Sequence, residues 1–127
     1  MIVDDEPEVR ELLFRYLASK FRSLSQPKKS MPEIVLAKDA EDAWKILQSG
    51  AKPSLMIIDY QMPQMNGVQL IDKIQTELPQ INPELVIYSG YCPAEAEAEK
   101  RGCRFILKTG GGEEIFKLAV EGGLFTA

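Results

Sequence analysis

Apolar residues along this chain gather in five short runs, and after each run they recur every three or four positions. The runs lie at residues 1–3, 33–37, 54–58, 84–90 and 104–108. Short unbroken apolar runs bounded by turn residues predict strands buried on both faces. Between them, Val9, Leu12, Leu13, Tyr16 and Leu17 keep helical spacing, with Arg10, Glu11 and Arg15 interleaved. That pattern predicts an amphipathic helix. Ala40, Ala43, Trp44, Ile46 and Leu47 predict a second helix, with Asp39 as its N-cap and Gly50 as its stop. Val68, Leu70, Ile71 and Ile74 mark a third, and Ile115, Phe116, Leu118, Ala119 and Val120 a last one. Residues 93–100 are rich in Ala and Glu and poor in large apolar groups, so the fourth helix is expected to be the loosest. The polar stretch 23–32 carries two prolines and predicts a loop, with Lys28-Lys29 read first as solvated loop charge and only second as a partner contact.

Strand and helix thus alternate five times, which argues for βαβ units, a parallel sheet and helices on both faces. Right-handed crossovers then bring all five strand ends to one edge. In open α/β sheets that edge is where ligands bind. A length of 127 residues suits one domain, expected to span the whole chain.

Composition narrows the chemistry. A net charge of -4 and no basic stripe exclude a general nucleic-acid binder. No apolar run approaches the roughly 20 residues that cross a bilayer, and no secretory leader opens the chain. Cys92 and Cys103 cannot build a disulfide framework, and zero His removes the commonest zinc ligand and general base. A cytoplasmic location with reduced thiols is the expectation.

What the strand ends carry then decides the reading. The first delivers Asp4 and Asp5, the third Asp59, the fourth Ser89 and the fifth Lys108. Singly, each has an ordinary explanation: helix caps, a turn former, a solvated strand end. Together, three carboxylates brought close repel one another, and a divalent cation relieves the conflict. Oxygen ligands without His or Cys favour Mg²⁺ (or Mn²⁺), which keeps waters and accepts phosphate oxygens. A lysine and a hydroxyl beside it suit an aspartyl-phosphate site with Asp59 as nucleophile.

Val3-Asp4-Asp5-Glu6, Ile57-Ile58-Asp59 with Met62-Pro63-Gln64-Met65-Asn66-Gly67, Ser89-Gly90 and Phe105-Ile106-Leu107-Lys108 resemble the signature of response-regulator receiver domains of two-component signalling. The resemblance covers nearly the whole chain. It implies a (βα)₅ flavodoxin-like, three-layer α/β fold with strand order 2-1-3-4-5. It implies that Asp59 takes a phosphoryl group from a histidine kinase or a histidine phosphotransfer protein. Asp5, Asp59 and the Gln61 backbone carbonyl would hold Mg²⁺, with Asp4 acting mostly through water. Ser89 would be the switch hydroxyl that moves to the phosphoryl group, Lys108 the counter-ion of that group, and Phe105 the aromatic whose rotamer follows Ser89. The face that responds would be the fourth helix, the fifth strand and the last helix. Gln61 and Tyr91 would flank the path of attacking water, and the bulk of Tyr91 predicts slow self-dephosphorylation. Such a domain is a phosphoacceptor rather than a turnover enzyme. It feeds an output domain or downstream protein that this sequence does not display, and phosphorylation-linked homodimers are compatible with it.

Two features depart from the family pattern. The first strand is short, and Thr109 with Gly110-Gly111-Gly112 follows Lys108 where the family usually has a cis proline. A non-proline cis bond costs about 3–4 kcal/mol, so the Lys108–Thr109 peptide is either trans or held cis by its surroundings. The alternatives are a scaffold of the same fold that never takes phosphate and a dehalogenase-like aspartate phosphatase. The phosphatase needs a second acid where this chain has Gln61.

Overall fold

The computed structural model describes residues 1–23 and 33–121. Strand β1 (Ile2–Val3) leads into α1 (Pro7–Arg22), then β2 (Leu36–Ala37) and α2 (Ala40–Gln48). There follow β3 (Leu55–Ile58), α3 (Gly67–Glu77), β4 (Glu84–Ser89), α4 (Ala94–Lys100), β5 (Arg104–Leu107) and α5 (Gly112–Glu121). All five strands pair in parallel in the order β2-β1-β3-β4-β5, the flavodoxin-like arrangement expected from the resemblance. The loop expected at 23–32, with Lys28-Lys29, lies outside the described residues beyond Ser23, which caps α1.

Side-chain alternation along the strands builds two cores. Val3, Met56, Ile58, Leu85 and Ile87 point to one face, where α2, α3 and α4 lay down Ala40, Leu47, Leu70, Ile71, Ile74 and Ala98. Ile2, Leu55, Ile57, Val86 and Ile106 point to the other, against Leu13, Leu17 and Phe21 of α1 and Ile115 and Ala119 of α5. Each large aliphatic side chain buried this way contributes about 1.5–3 kcal/mol, so both faces of the sheet have to be covered.

Helix ends follow their local chemistry. The Asp39 carboxylate accepts from Asp42 N–H at 2.7 Å, as its N-cap position requires. Asn66 and Gln69 form a reciprocal capping box at the start of α3, with both bonds at 2.9 Å. Gly50 follows α2 with φ 108°, a left-handed stop.

Two expectations need correction. Leu12, one of the apolar positions of the helical pattern, is 70% exposed, not on the inner face of α1. The buried line runs through Leu13, Leu17 and Phe21 at four-residue steps, and Leu12 sits about 100° around the helix from Leu13. Strand β2 is two residues long rather than five, because β1, its only neighbour, offers just two residues to pair with.

Candidate functional site

The register of β1, β3 and β4 brings the expected acids together. Val3 pairs with Ile58, and the Asp59 N–H donates to the Val3 carbonyl at 2.9 Å, so Asp4 and Asp59 leave the sheet side by side. Both are buried, at 2% and 5% exposure, whereas Asp5 and Glu6 are exposed. One carboxylate oxygen from each of Asp4, Asp5, Glu6 and Asp59 lies within 4.8 Å of the others. The Asp4 backbone turn is fixed twice, by Glu6 N–H on its carboxylate at 2.9 Å and by the Arg10 guanidinium on its carbonyl at 2.7 Å.

Lys108 closes the cluster from β5. Its ammonium stands 3.1 Å from Asp4, 3.2 Å from Asp59 and 3.9 Å from Glu6. One lysine against four acids leaves the pocket short of positive charge. Burial, then the neighbouring Asp4 charge, push the Asp59 carboxyl up to about 6, against the pull of Lys108. Burial alone draws the Lys108 ammonium downward, but the hydrogen bonds and charges of Asp4 and Asp59 outweigh it and leave its pKa raised. A hard divalent cation fits this donor set: oxygens only, converging, and carrying excess negative charge.

Ser89 is buried at the end of β4, and its described link to the cluster is through the backbone, its carbonyl accepting from Lys108 N–H at 3.1 Å. The Ser89 hydroxyl instead accepts from Tyr91 N–H at 3.0 Å. Tyr91, 42% exposed, stacks on Tyr60 with ring centroids 5.3 Å apart, tying the β3–α3 and β4–α4 loops across the site. Gln61 is exposed on the loop after Asp59, and no described contact joins it to the acids. Phe105 lies away from them, half-buried against the core face that holds Ala94 and Ala98. Gly67 explains part of the spacing. Its N–H donates to the Tyr60 carbonyl at 2.8 Å, and a Cβ there would collide with the Asp59 carbonyl.

Three participants were not apparent in the sequence. Glu6 figures in the sequence only as part of the Val3-Asp4-Asp5-Glu6 motif, with no role assigned to it, although its place beside Asp5 was a usable signal. Tyr60 and Tyr88 carry no signal of their own in the sequence, because their partners are 31 and 20 residues away. Thr109 follows Lys108 through a trans peptide, and no described bond is cis.

Comparison with known proteins agrees with this geometry. A family model described as the response regulator receiver domain matches residues 1–119. The chain is 41% identical over 87 residues to the Regulator of RpoS of Escherichia coli K12, which is 68% of this chain and 22% of that protein. It is 34% identical over 79 residues to the response regulator Rre1 of Synechocystis, 61% of this chain and 29% of that one. The chain therefore spans between a fifth and a third of the length of these relatives. Among solved structures, a two-component transcriptional regulator AraC from Clostridium phytofermentans aligns with TM-score 0.72 and 27% identity over 95% of this chain and 88% of that one. The response regulator TrrA of Thermotoga maritima aligns with TM-score 0.74 at 23% identity, covering 95% of each chain, a likeness of fold.

Proposed function

The chain belongs to the response regulator receiver family of two-component signalling, and from that premise we propose that Asp59 accepts a phosphoryl group in a Mg²⁺-dependent transfer. The donor is a phosphohistidine of a histidine kinase or phosphotransfer protein, or a small acyl phosphate. The observation that carries the reading is the Lys108 ammonium set 3.2 Å from Asp59 and 3.1 Å from Asp4 in a buried, over-acidic pocket.

Asp59 is the nucleophile. With its carboxyl near 6 it is mostly ionised at neutral pH, and burial has already removed most of its water. One of its oxygens bonds to phosphorus as phosphorus releases the donor's imidazole nitrogen or acyl oxygen, which keeps the electron pair. Asp4, Asp5 and Asp59 would hold the cation, with Glu6 a fourth carboxylate within reach and the Gln61 carbonyl the further ligand that the family resemblance implies. Bound Mg²⁺ supplies charge neutralisation for the phosphoryl oxygens. Lys108 supplies a further positive charge, its ammonium 3.1 Å from Asp4 and 3.2 Å from Asp59. Ser89 accepts from Tyr91 and so keeps its own proton for a phosphoryl oxygen.

The phosphoryl group adds about -1.5 to -2 charges, enough to draw the Ser89 hydroxyl from Tyr91 and let Phe105 turn into the space. The α4-β5-α5 face then signals to an output domain or partner protein. Tyr91 on Tyr60 shields the acyl phosphate from water, so Tyr91→Ala is expected to shorten its lifetime, and an unchanged decay of the label contradicts that role.

Incubation with Mg²⁺ and acetyl phosphate tests the whole reading by intact mass and by phosphate release. One phosphoryl group per chain, abolished by chelation, is the expected result. Continuous release of phosphate at catalytic rates indicates a phosphatase, and no label at all indicates a scaffold; either outcome sinks the proposal.

A further inference from the structure

Lys108 is delivered to the acids by a segment with little stiffness of its own. Beyond Leu107 the chain runs Lys108-Thr109-Gly110-Gly111-Gly112, with Gly110 at φ 76°. Glycines widen the conformations open to an unconstrained turn. Something outside the turn has to fix where Lys108 begins.

Two consecutive residues of β4 supply that constraint. The Lys108 N–H donates to the Ser89 carbonyl at 3.1 Å, and the Lys108 carbonyl accepts from the Tyr88 phenol at 3.2 Å. Tyr88 itself is 8% exposed, its ring set in the core with Leu13, Ile106 and Ile115. The turn rests directly on that ring. A Cβ at Gly111 would stand 2.9 Å from Tyr88 Cε1, and 2.5 Å from both Ile106 Cγ2 and the Leu107 carbonyl oxygen. Only glycine lets the backbone come this close, and the approach keeps the Lys108 carbonyl within reach of the hydroxyl.

Resting on the phosphoacceptor reading above, we propose that Tyr88 is a positioning residue for the phosphoryl transfer: its hydroxyl and ring fix the Lys108 backbone so that the ammonium meets Asp4 and Asp59. It touches neither donor nor cation and acts only through Lys108. At 3.2 Å the bond is longer than the roughly 2.5–3.0 Å usual for an O–H donor, so its effect is several-fold rather than total.

The test is the rate of labelling by acetyl phosphate at saturating Mg²⁺ in wild type, Tyr88→Phe, Lys108→Ala and the double variant, each followed to completion. Tyr88→Phe keeps the ring and is expected to slow labelling by roughly fivefold, the net effect of one neutral hydrogen bond. Its half-saturating Mg²⁺ concentration should not change. In the Lys108→Ala background the same substitution should have no further effect, because the group it positions is gone. A Tyr88→Phe chain that labels at the wild-type rate overturns the inference, as does the same fractional loss in both backgrounds. If Lys108→Ala labels too slowly to time, the Lys108 carbonyl ¹³C shift decides. It moves in Tyr88→Phe if the phenol holds that oxygen, and an unmoved shift overturns the inference. Wild type that takes no label sinks the underlying reading and this inference with it; loss of the Tyr88 effect in a labelling wild type sinks the inference alone.

Discussion

At the scale of single residues, Asp59 is held at a cost to the fold. Its carboxyl ordinarily titrates near 3.8, and in the folded chain burial and Asp4 raise it to about 6. The folded state therefore binds the extra proton between these values. Whatever stability the group gives is full below about pH 4 and lost as pH rises through about 6. Asp59→Asn should accordingly be more stable than wild type at pH 7.5 without metal, by on the order of 2 kcal/mol. The difference should shrink to about a third of that value at pH 4.5 and vanish only below about pH 4. Urea unfolding at the two pH values checks this; a destabilised variant at pH 7.5, or a gap independent of pH, contradicts it. Asp59, Asp4 and Lys108 were legible because charged residues at the ends of apolar runs stand out. Tyr88 was not, since a tyrosine inside such a run looks like any core aromatic and its hydroxyl partner lies 20 residues away, just past the end of β5.

At the scale of elements, α4 is small but anchored. Ala94 and Ala98 are fully buried, and Arg101 just beyond the helix forks onto Asp72 of α3, Nε to Oδ1 at 2.6 Å and Nη2 to Oδ2 at 3.0 Å. The same guanidinium reaches back to the Glu97 carboxylate and carbonyl, both at 2.9 Å, while Gln75 donates to the Arg101 carbonyl at 3.2 Å. The hydrogen bond to Arg101, more than its charge, holds the Asp72 carboxyl below its usual range. Sequence composition made this the loosest helix, and what composition could not display is a long-range clamp closed by one arginine. Arg101→Met should cost about 1 kcal/mol, the modest worth of a bidentate but half-exposed pair. Hydrogen exchange should show the loss chiefly as faster exchange within Ala94–Lys100, and the gap should narrow in high salt. Exchange that rises equally in β3 and β4 would argue that Arg101 supports the whole fold instead. Element identity and order were legible from periodicity throughout. The length of β2 and the facing of Leu12 were not, because both depend on what lies opposite, which a single helix or strand pattern does not record.

At the scale of the whole molecule, the parallel sheet is what turns scattered residues into one pocket. Its two cores hold β1, β3 and β5 in register, so residues 4, 59 and 108, separated by roughly 50 positions each, meet within hydrogen-bond distance. The convergence of strand ends followed from βαβ alternation alone; the strand order came from the family resemblance, since alternation permits several orders. A chain that binds phosphate elsewhere, or carries these acids only as structure, has no need to bury the Asp59 carboxylate against a lysine amid three other acids. The most direct test is chemical mapping of the labelled residue. After incubation with acetyl phosphate and Mg²⁺, hydroxylamine displaces phosphate from an acyl phosphate and leaves a hydroxamate on the side chain that carried it. Peptide mass spectrometry should find that hydroxamate at Asp59 and nowhere else. A hydroxamate on Asp4 or Asp5, or none on the chain, contradicts the account.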